Sequence, residues 1–294
     1  MGRDLYNSYS SARNIFDQAD EVLGFALTRL CFEGQEEELR QTINAQPALV
    51  TTGFACLSAI IAEAGKEISR PDFVAGHSLG EYTALAVAGV LDFPTTVKLA
   101  RERGRLMQEA GLKQAGAMLA VLGLDEAVLT SVCKEAGVWI ANINCPGQIV
   151  ISGAKDNIDK AKTLAEARGA RRAVPLAVSG AFHTPLMQSA VDGMLIAIAS
   201  LDFRKPAMPV VANTNAQPLT EAGPIKNELL TQLCNTVQWQ RSVEYMVREG
   251  VTTFVELGPG NVLTGLIKRI SKDATLINIS DVASVKSYVS QSGV

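Results

Sequence analysis

Residues 76–82 read GHSLGEY, which sets Ser78 between two glycines at the end of an apolar run and the start of a helical one. Strand, Gly-x-Ser-x-Gly and helix in that order form a sharp elbow that lifts a serine hydroxyl above a sheet. The helix behind it brings backbone N–H groups and a positive dipole to where negative charge would develop. A serine is a poor nucleophile at neutral pH unless a base takes its proton as it attacks. Histidine suits that task because its ordinary pKa lies near the working pH, and the chain has two. His77 adjoins Ser78 on the tight turn, so its side chain is expected to leave in another direction. That points to His183, in VSGAFHTPLM. With no Asp or Glu placed to complete a triad, a backbone carbonyl would have to orient the imidazole. Each residue also has a plainer reading: Ser78 as a helix cap, His183 as a packed core histidine.

Arg103 is the second anomaly. Along residues 93–110, Lys98, Arg101, Arg105 and Gln108 form one polar stripe, whereas Arg103 falls with Leu99, Leu106 and Ala110 on the apolar face. An inward guanidinium costs on the order of several kcal/mol unless an anion answers it. That anion could be an internal carboxylate or the carboxylate of a substrate gripped in bidentate fashion. A serine that opens an ester, with an arginine that holds a free carboxylate, suggests transfer of a dicarboxylic half-ester or thioester.

The elements that must position these groups follow from periodicity. Helices are expected over 4–23, 35–43 and from Pro47, where proline suits a first turn. DFVAG is a short strand, followed by the elbow, a helix from Glu81 to about Val90 and another from Phe93 to Ala110. From residue 115 the order becomes βαββαβ, that of a ferredoxin-like unit over 114–179. Strands near MPVVAN, TTFVELG and TLINIS then resume an α/β rhythm. The expectation is a larger α/β domain interrupted by a small inserted one.

Composition narrows the chemistry. The 294 residues suffice for one large domain or two smaller ones, and a net charge of -3 without a dense basic cluster gives no footprint for nucleic acid. Small molecules, or an acidic protein met through a local basic patch, stay open as partners. Five cysteines without a C-x-x-C suggest neither a disulfide framework nor a zinc site, and fit a reducing cytoplasm. No run is expected to reach the ~18 apolar residues that span a bilayer, so no membrane partner is expected.

In order along the chain, QPAL (46–49), GHSLGEY (76–82), RGRLMQEA (103–110), NINCPGQIVISG (142–153), GAFH (180–183), VQW (237–239) and ELGPGNVLTGL (256–266) resemble the malonyl-CoA:acyl carrier protein transacylases. The resemblance runs nearly end to end. It implies an α/β-hydrolase-like core with a parallel sheet, formed by residues 1–113 and 180–294, and a ferredoxin-like subdomain over 114–179. It implies Ser78 as the acylated nucleophile, His183 as its base and Arg103 as the partner of the malonyl carboxylate. Gln238 would orient the histidine through its main chain, Leu79 would supply an oxyanion N–H, and Asn142 and Asn144 would border the site. Phe182 matches the form associated with malonyl rather than methylmalonyl selection. Malonyl-CoA and acyl carrier protein are the implied partners, with no cofactor and no metal.

The order of the candidate residues also weighs on rivals. Serine esterases and thioesterases share the elbow but place an acid between serine and histidine, and would leave Arg103 without a purpose. A catalytically impaired carrier-protein-binding homologue is the rival of another class. It draws on one departure from the resemblance: family members open with a strand and a Gly-Gln-Gly-Ser-Gln loop that contributes the other oxyanion N–H, whereas this chain begins at MGRDLY. Loss of such a donor costs about 3–4 kcal/mol in the transition state, so the chain as given is expected to be weak or inactive as a transacylase and an upstream-extended form to be active.

Overall fold

The computed structural model describes residues 1–65, 68, 70–178 and 180–292. The expected boundary residue 179 and the last two residues of the expected core, 293–294, lie outside these. The fold is mixed α/β. Its strands are β1 (Val74–Ala75), β2 (Gly116–Leu122), β3 (Trp139–Cys145), β4 (Gln148–Ala154), β5 (Arg172–Pro175), β6 (Val210–Val211), β7 (Pro218–Leu219), β8 (Thr253–Leu257) and β9 (Thr275–Ile279).

The βαββαβ segment forms an antiparallel sheet in the order β3-β4-β2-β5, with helices Glu126–Ala136 and Lys155–Ala167 as its crossovers. Its strands obey the period of two that a two-faced sheet requires. Leu119 and Val121 of β2, and Ile149 and Ile151 of β4, join Leu129, Val132 and Ile158 in a core of their own. Met118 and Val150, on the other face, pack into the main core.

Parallel pairing occurs in two separate short pieces, β1 with β6 and β8 with β9, and β7 adds to β6 antiparallel. The single parallel sheet expected from the resemblance is thus not continuous among the described residues. A local cause shortens β1, since Gly76 begins the elbow directly after it, whereas past β6 the Ala212 N–H donates to the Gln217 carbonyl in register with the β6–β7 pairs.

The helices begin earlier than the sequence suggested in one instructive case. Pro47 lies inside the helix Thr42–Ala64, not in its first turn. Proline has no N–H to give the carbonyl four residues back, and Arg101 Nη1 donates to that carbonyl, of Ile43, at 2.8 Å. By length and composition this same helix could cross a membrane, with a hydropathy of 1.5, contrary to the expectation; 61% of the window is buried inside the fold, as suits a core helix.

The helix Phe93–Lys113 packs close to it because Gly104 has no side chain: a Cβ there would lie 2.6 Å from the Thr42 carbonyl oxygen and 2.7 Å from Ile43 Cα. Such contacts are with backbone, which cannot rotate away. Gly104→Ala should therefore lower stability by about 1–3 kcal/mol through overpacking, despite a helix-propensity gain of about 1 kcal/mol. Gly265→Ala, in helix Val262–Ile270 with nothing within 4 Å of the new Cβ, should raise it. Urea denaturation midpoints of the two variants should move in opposite directions.

Candidate active site

The elbow is built by one close approach. A Cβ on Gly76 would fall 2.0 Å from the Gly80 carbonyl carbon, so residue 76 must be glycine; at Gly80 a Cβ would meet nothing within 4 Å. The steric need for glycine thus falls on one side of the serine only. Between them Ser78 has φ +52°, a left-handed conformation that a serine adopts at a cost. Among the described non-glycine residues only His183 and Ala216 share a positive φ.

Ser78 is held from both sides of its peptide. Its N–H donates to Asn213 Oδ1 at 2.6 Å and its carbonyl accepts from Gln232 Nε2 at 2.9 Å. Asn213 in turn donates from Nδ2 to the Gly76 carbonyl at 2.8 Å. Behind the serine, the helix Gly80–Val87 begins, and the Leu79 N–H has no acceptor among the described residues.

The hydroxyl is shared by two groups. Ser78 Oγ lies 2.8 Å from His183 Nε2 and accepts from Arg103 Nη2 at 3.1 Å. His183 Nδ1 lies 2.8 Å from the carbonyl of Gln232. A carbonyl only accepts, so Nδ1 carries the proton and Nε2 presents a lone pair to the serine. Burial, and after it the neighbouring Arg103, push the His183 pKa down to about 3. The ring is neutral, hence able to accept a proton, across the neutral range.

The carbonyl on His183 belongs to Gln232 and not to Gln238, which corrects the assignment made from the VQW motif. Val237 is paired with β3, donating to the Ala141 carbonyl and accepting from the Ile143 N–H. That pairing turns Gln238 toward the helix Trp239–Arg248, where its carbonyl accepts from the Ser242 N–H at 2.9 Å. Gln232 follows the helix Ala222–Thr231, and carbonyls at helix ends have no intrahelical donor. Its carbonyl is thus open to the imidazole.

Arg103 is 1% exposed. Nη1 donates to Gln46 Oε1 and Nη2 to Gln232 Oε1, both at 2.8 Å, and the guanidinium carbon stands 5.3 Å from the centre of the Tyr82 ring. No carboxylate lies within 4 Å of it among the described residues, so the internal salt bridge weighed from the sequence is not formed. Burial lowers its pKa, and Tyr82 and Glu81 act against that. The group remains a cation at any working pH.

Of the remaining expected residues, Asn144 reaches the elbow through His77, whose Nε2 is 2.9 Å from Asn144 Oδ1. His77 therefore does point away from Ser78. Asn142 lies two residues earlier on β3, 5% exposed, at the bridge to Val237. Phe182 is buried in the main core with its ring across Gly180, where a Cβ would be 2.5 Å from Cε1. Sequence reasoning missed Gln46, Asn213 and Gln232. Gln46 stood in the quoted QPAL motif, but an amide beside a proline carries no chemical signal of its own. A buried base set against a hydroxyl, beside a caged cation, can make and break an ester while gripping an anion. Among the described residues no group of His, Cys, Asp and Glu is arranged to hold a metal ion.

The chain is also similar to known proteins over nearly its whole length. The acyl transferase domain family matches residues 1–290. The malonyl CoA-acyl carrier protein transacylase of Bacillus subtilis (strain 168) is 45% identical over 287 residues, 96% of this chain and 89% of that protein. An acyl-carrier-protein-S-malonyltransferase from Bartonella henselae superposes with a TM-score of 0.95 at 36% identity, covering 100% of this chain and 95% of the other. A malonyl-transacylase solved in complex with its type II PKS acyl-carrier protein gives 0.94 at 38% identity, over 99% of this chain and 94% of the other. The chain belongs to the acyl transferase domain family and, within it, to the malonyl-CoA:acyl carrier protein transacylases.

Proposed function

We propose that this chain transfers the malonyl group of malonyl-CoA to the phosphopantetheine thiol of acyl carrier protein, in fatty-acid or polyketide synthesis, through an ester on Ser78. The observation that carries the reading is the Ser78 hydroxyl, shared between His183 Nε2 at 2.8 Å and Arg103 Nη2 at 3.1 Å. Its relatives bear that activity in their names.

In the first half-reaction Ser78 Oγ attacks the thioester carbonyl carbon while His183 Nε2 takes the hydroxyl proton. The Leu79 N–H faces the oxygen that becomes negative. Collapse breaks the carbon–sulfur bond and the departing CoA sulfur takes the proton from His183. Arg103 meanwhile holds the malonyl carboxylate. In the second half the pantetheine thiol gives its proton to His183, its sulfur attacks the ester, and Ser78 leaves with that proton. No cofactor is called for, since malonyl-CoA enters as a substrate and these side chains serve every bond change.

An acid on the histidine is unnecessary here because the Gln232 carbonyl already fixes the ring tautomer. Binding of the malonyl carboxylate also changes the base. Arg103 is one of the charges that depress His183, so an anion on the guanidinium should make the imidazole a stronger base once substrate is bound.

The finer architecture belongs to the same proposal: an α/β-hydrolase-like core of residues 1–113 and 180–294 and a ferredoxin-like insert over 114–179. The order β5-β2-β4-β3 and the separate hydrophobic core of that segment support it. Phe182 would occupy space that a branching methyl needs, a preference of about 1–3 kcal/mol at most. Five free thiols suit a cytoplasmic site of action.

Ser78→Ala should abolish the malonyl adduct seen by intact-protein mass spectrometry after mixing with malonyl-CoA, and transfer with it. Arg103→Ala should lower kcat/KM for malonyl-CoA about 100- to 1,000-fold, the scale of a buried charge pair lost, and should lower it far less for acetyl-CoA, which has no carboxylate. Release of free malonate faster than transfer to the carrier thiol would instead favour a hydrolase. The pH profile gives an independent check. A base whose pKa is depressed stays neutral as pH falls, so kcat/KM should show no loss centred near 6.5 and should stay level down to about pH 5. In kcat, where bound malonyl screens Arg103, the acid limb should lie higher.

A further inference from the structure

Glu81 has no part in the steps above, yet it is completely buried beneath the site. Its Oε1 accepts from the Asn213 N–H at 2.9 Å and from Asn213 Nδ2 at 3.2 Å, and its Oε2 accepts from Gln232 Nε2 at 2.5 Å. All three partners donate, a set that fits a carboxylate rather than a carboxylic acid. Burial, and after it the nearby Glu228, hold its pKa well above the usual carboxylate range although these donors and Arg103 act in the other direction, so it is the all-donor set of partners that assigns the carboxylate.

The two residues it touches are the ones that set the site. Asn213 receives the Ser78 N–H. The Gln232 side chain donates to the Ser78 carbonyl and accepts from Arg103 Nη2, while its carbonyl faces His183 Nδ1. An amide can sit two ways round, and here the choice is forced: its oxygen must face the guanidinium, because its nitrogen must face Glu81. A carboxylate placed directly on Arg103 would balance that buried charge but would fill the fork.

We propose that Glu81 is a positioning residue, whose carboxylate locks the Gln232 amide and Asn213 so that Ser78, His183 and Arg103 keep one arrangement, and answers the Arg103 charge from one amide away so that the fork stays open to a substrate carboxylate. This rests on the malonyl-transfer reading for the role of the fork, and on geometry alone for the serine.

The test uses two isosteric variants of the full chain. In Glu81→Gln one of the two accepting oxygens becomes an NH2 that must face either the Gln232 nitrogen or the two Asn213 donors, so one arm of the lock is lost whichever way the new amide sits. KM for malonyl-CoA should rise tenfold or more and kcat should fall tenfold or more. Labelling of Ser78 by a fluorophosphonate, which needs the serine and its base but no malonyl group, should slow tenfold or more. A purely structural role would lower the thermal midpoint and leave KM, kcat and the labelling rate within twofold for the folded protein, and that result overturns the proposal. Gln232→Glu keeps the main-chain carbonyl but sets a carboxylate on Arg103. It should raise KM for malonyl-CoA tenfold or more, and an unchanged KM would refute the open-fork claim even if Glu81→Gln does not fold. If wild-type protein transfers no malonyl, the functional reading fails, while the labelling rates still decide whether Glu81 positions the serine.

Discussion

Everything in the site depends on keeping a cation in the interior without giving it a permanent anion. Arg103 is 1% exposed and meets two amide oxygens, one hydroxyl and an aromatic ring. A buried charge with no partner costs several kcal/mol or more, and pairing it directly would recover much of that. The fold does neither. It supplies dipoles fixed by other elements: Gln46 from the start of one helix, brought close by Gly104, and Gln232 from the end of another. A guanidinium held in this way is already desolvated and oriented, so a carboxylate that reaches it avoids most of the cost of organising its own site.

The same economy governs the serine and histidine. Both sit at positive φ, and strained backbones last only where neighbours over-determine them. For Ser78 those neighbours are the Gly76–Gly80 approach, Asn213 and Gln232. For His183 the carbonyl of Gln232 does the work usually given to an acidic side chain. The consequence is a neutral imidazole beside a cation that keeps it so. The βαββαβ segment also touches the site, since Asn144 on β3 holds His77 and Val237 pairs along the same strand.

The parts of this arrangement written in local spacing were readable from the chain. A strand, glycines around a serine and a helix announce an elbow by themselves. Arg103 announced itself by standing on the wrong face of its helix, and the alternation in β2 and β4 announced a two-faced sheet. What was illegible depends on contacts between residues far apart in the chain that no local spacing records. Nothing near Gln232 says that its side chain will meet Glu81, 151 positions away, and its carbonyl His183, 49 away. The VQW motif pointed to Gln238 because a motif marks a neighbourhood, whereas the ladder between Val237 and β3 decides which carbonyl is left over. Pro47 misled for a related reason. Its helix runs through it because Arg101, from another helix, takes up the carbonyl that proline cannot serve.

The claim that Arg103 receives the acyl carboxylate is tested most directly by a crystal structure of the Ser78→Ala protein with malonyl-CoA bound. The account predicts the malonyl carboxylate within hydrogen-bond distance of the Arg103 guanidinium, with the thioester carbonyl carbon lying over residue 78 and its oxygen toward the Leu79 N–H. A carboxylate turned to solvent, or paired with a different cation while Arg103 keeps only its glutamine partners, would contradict it.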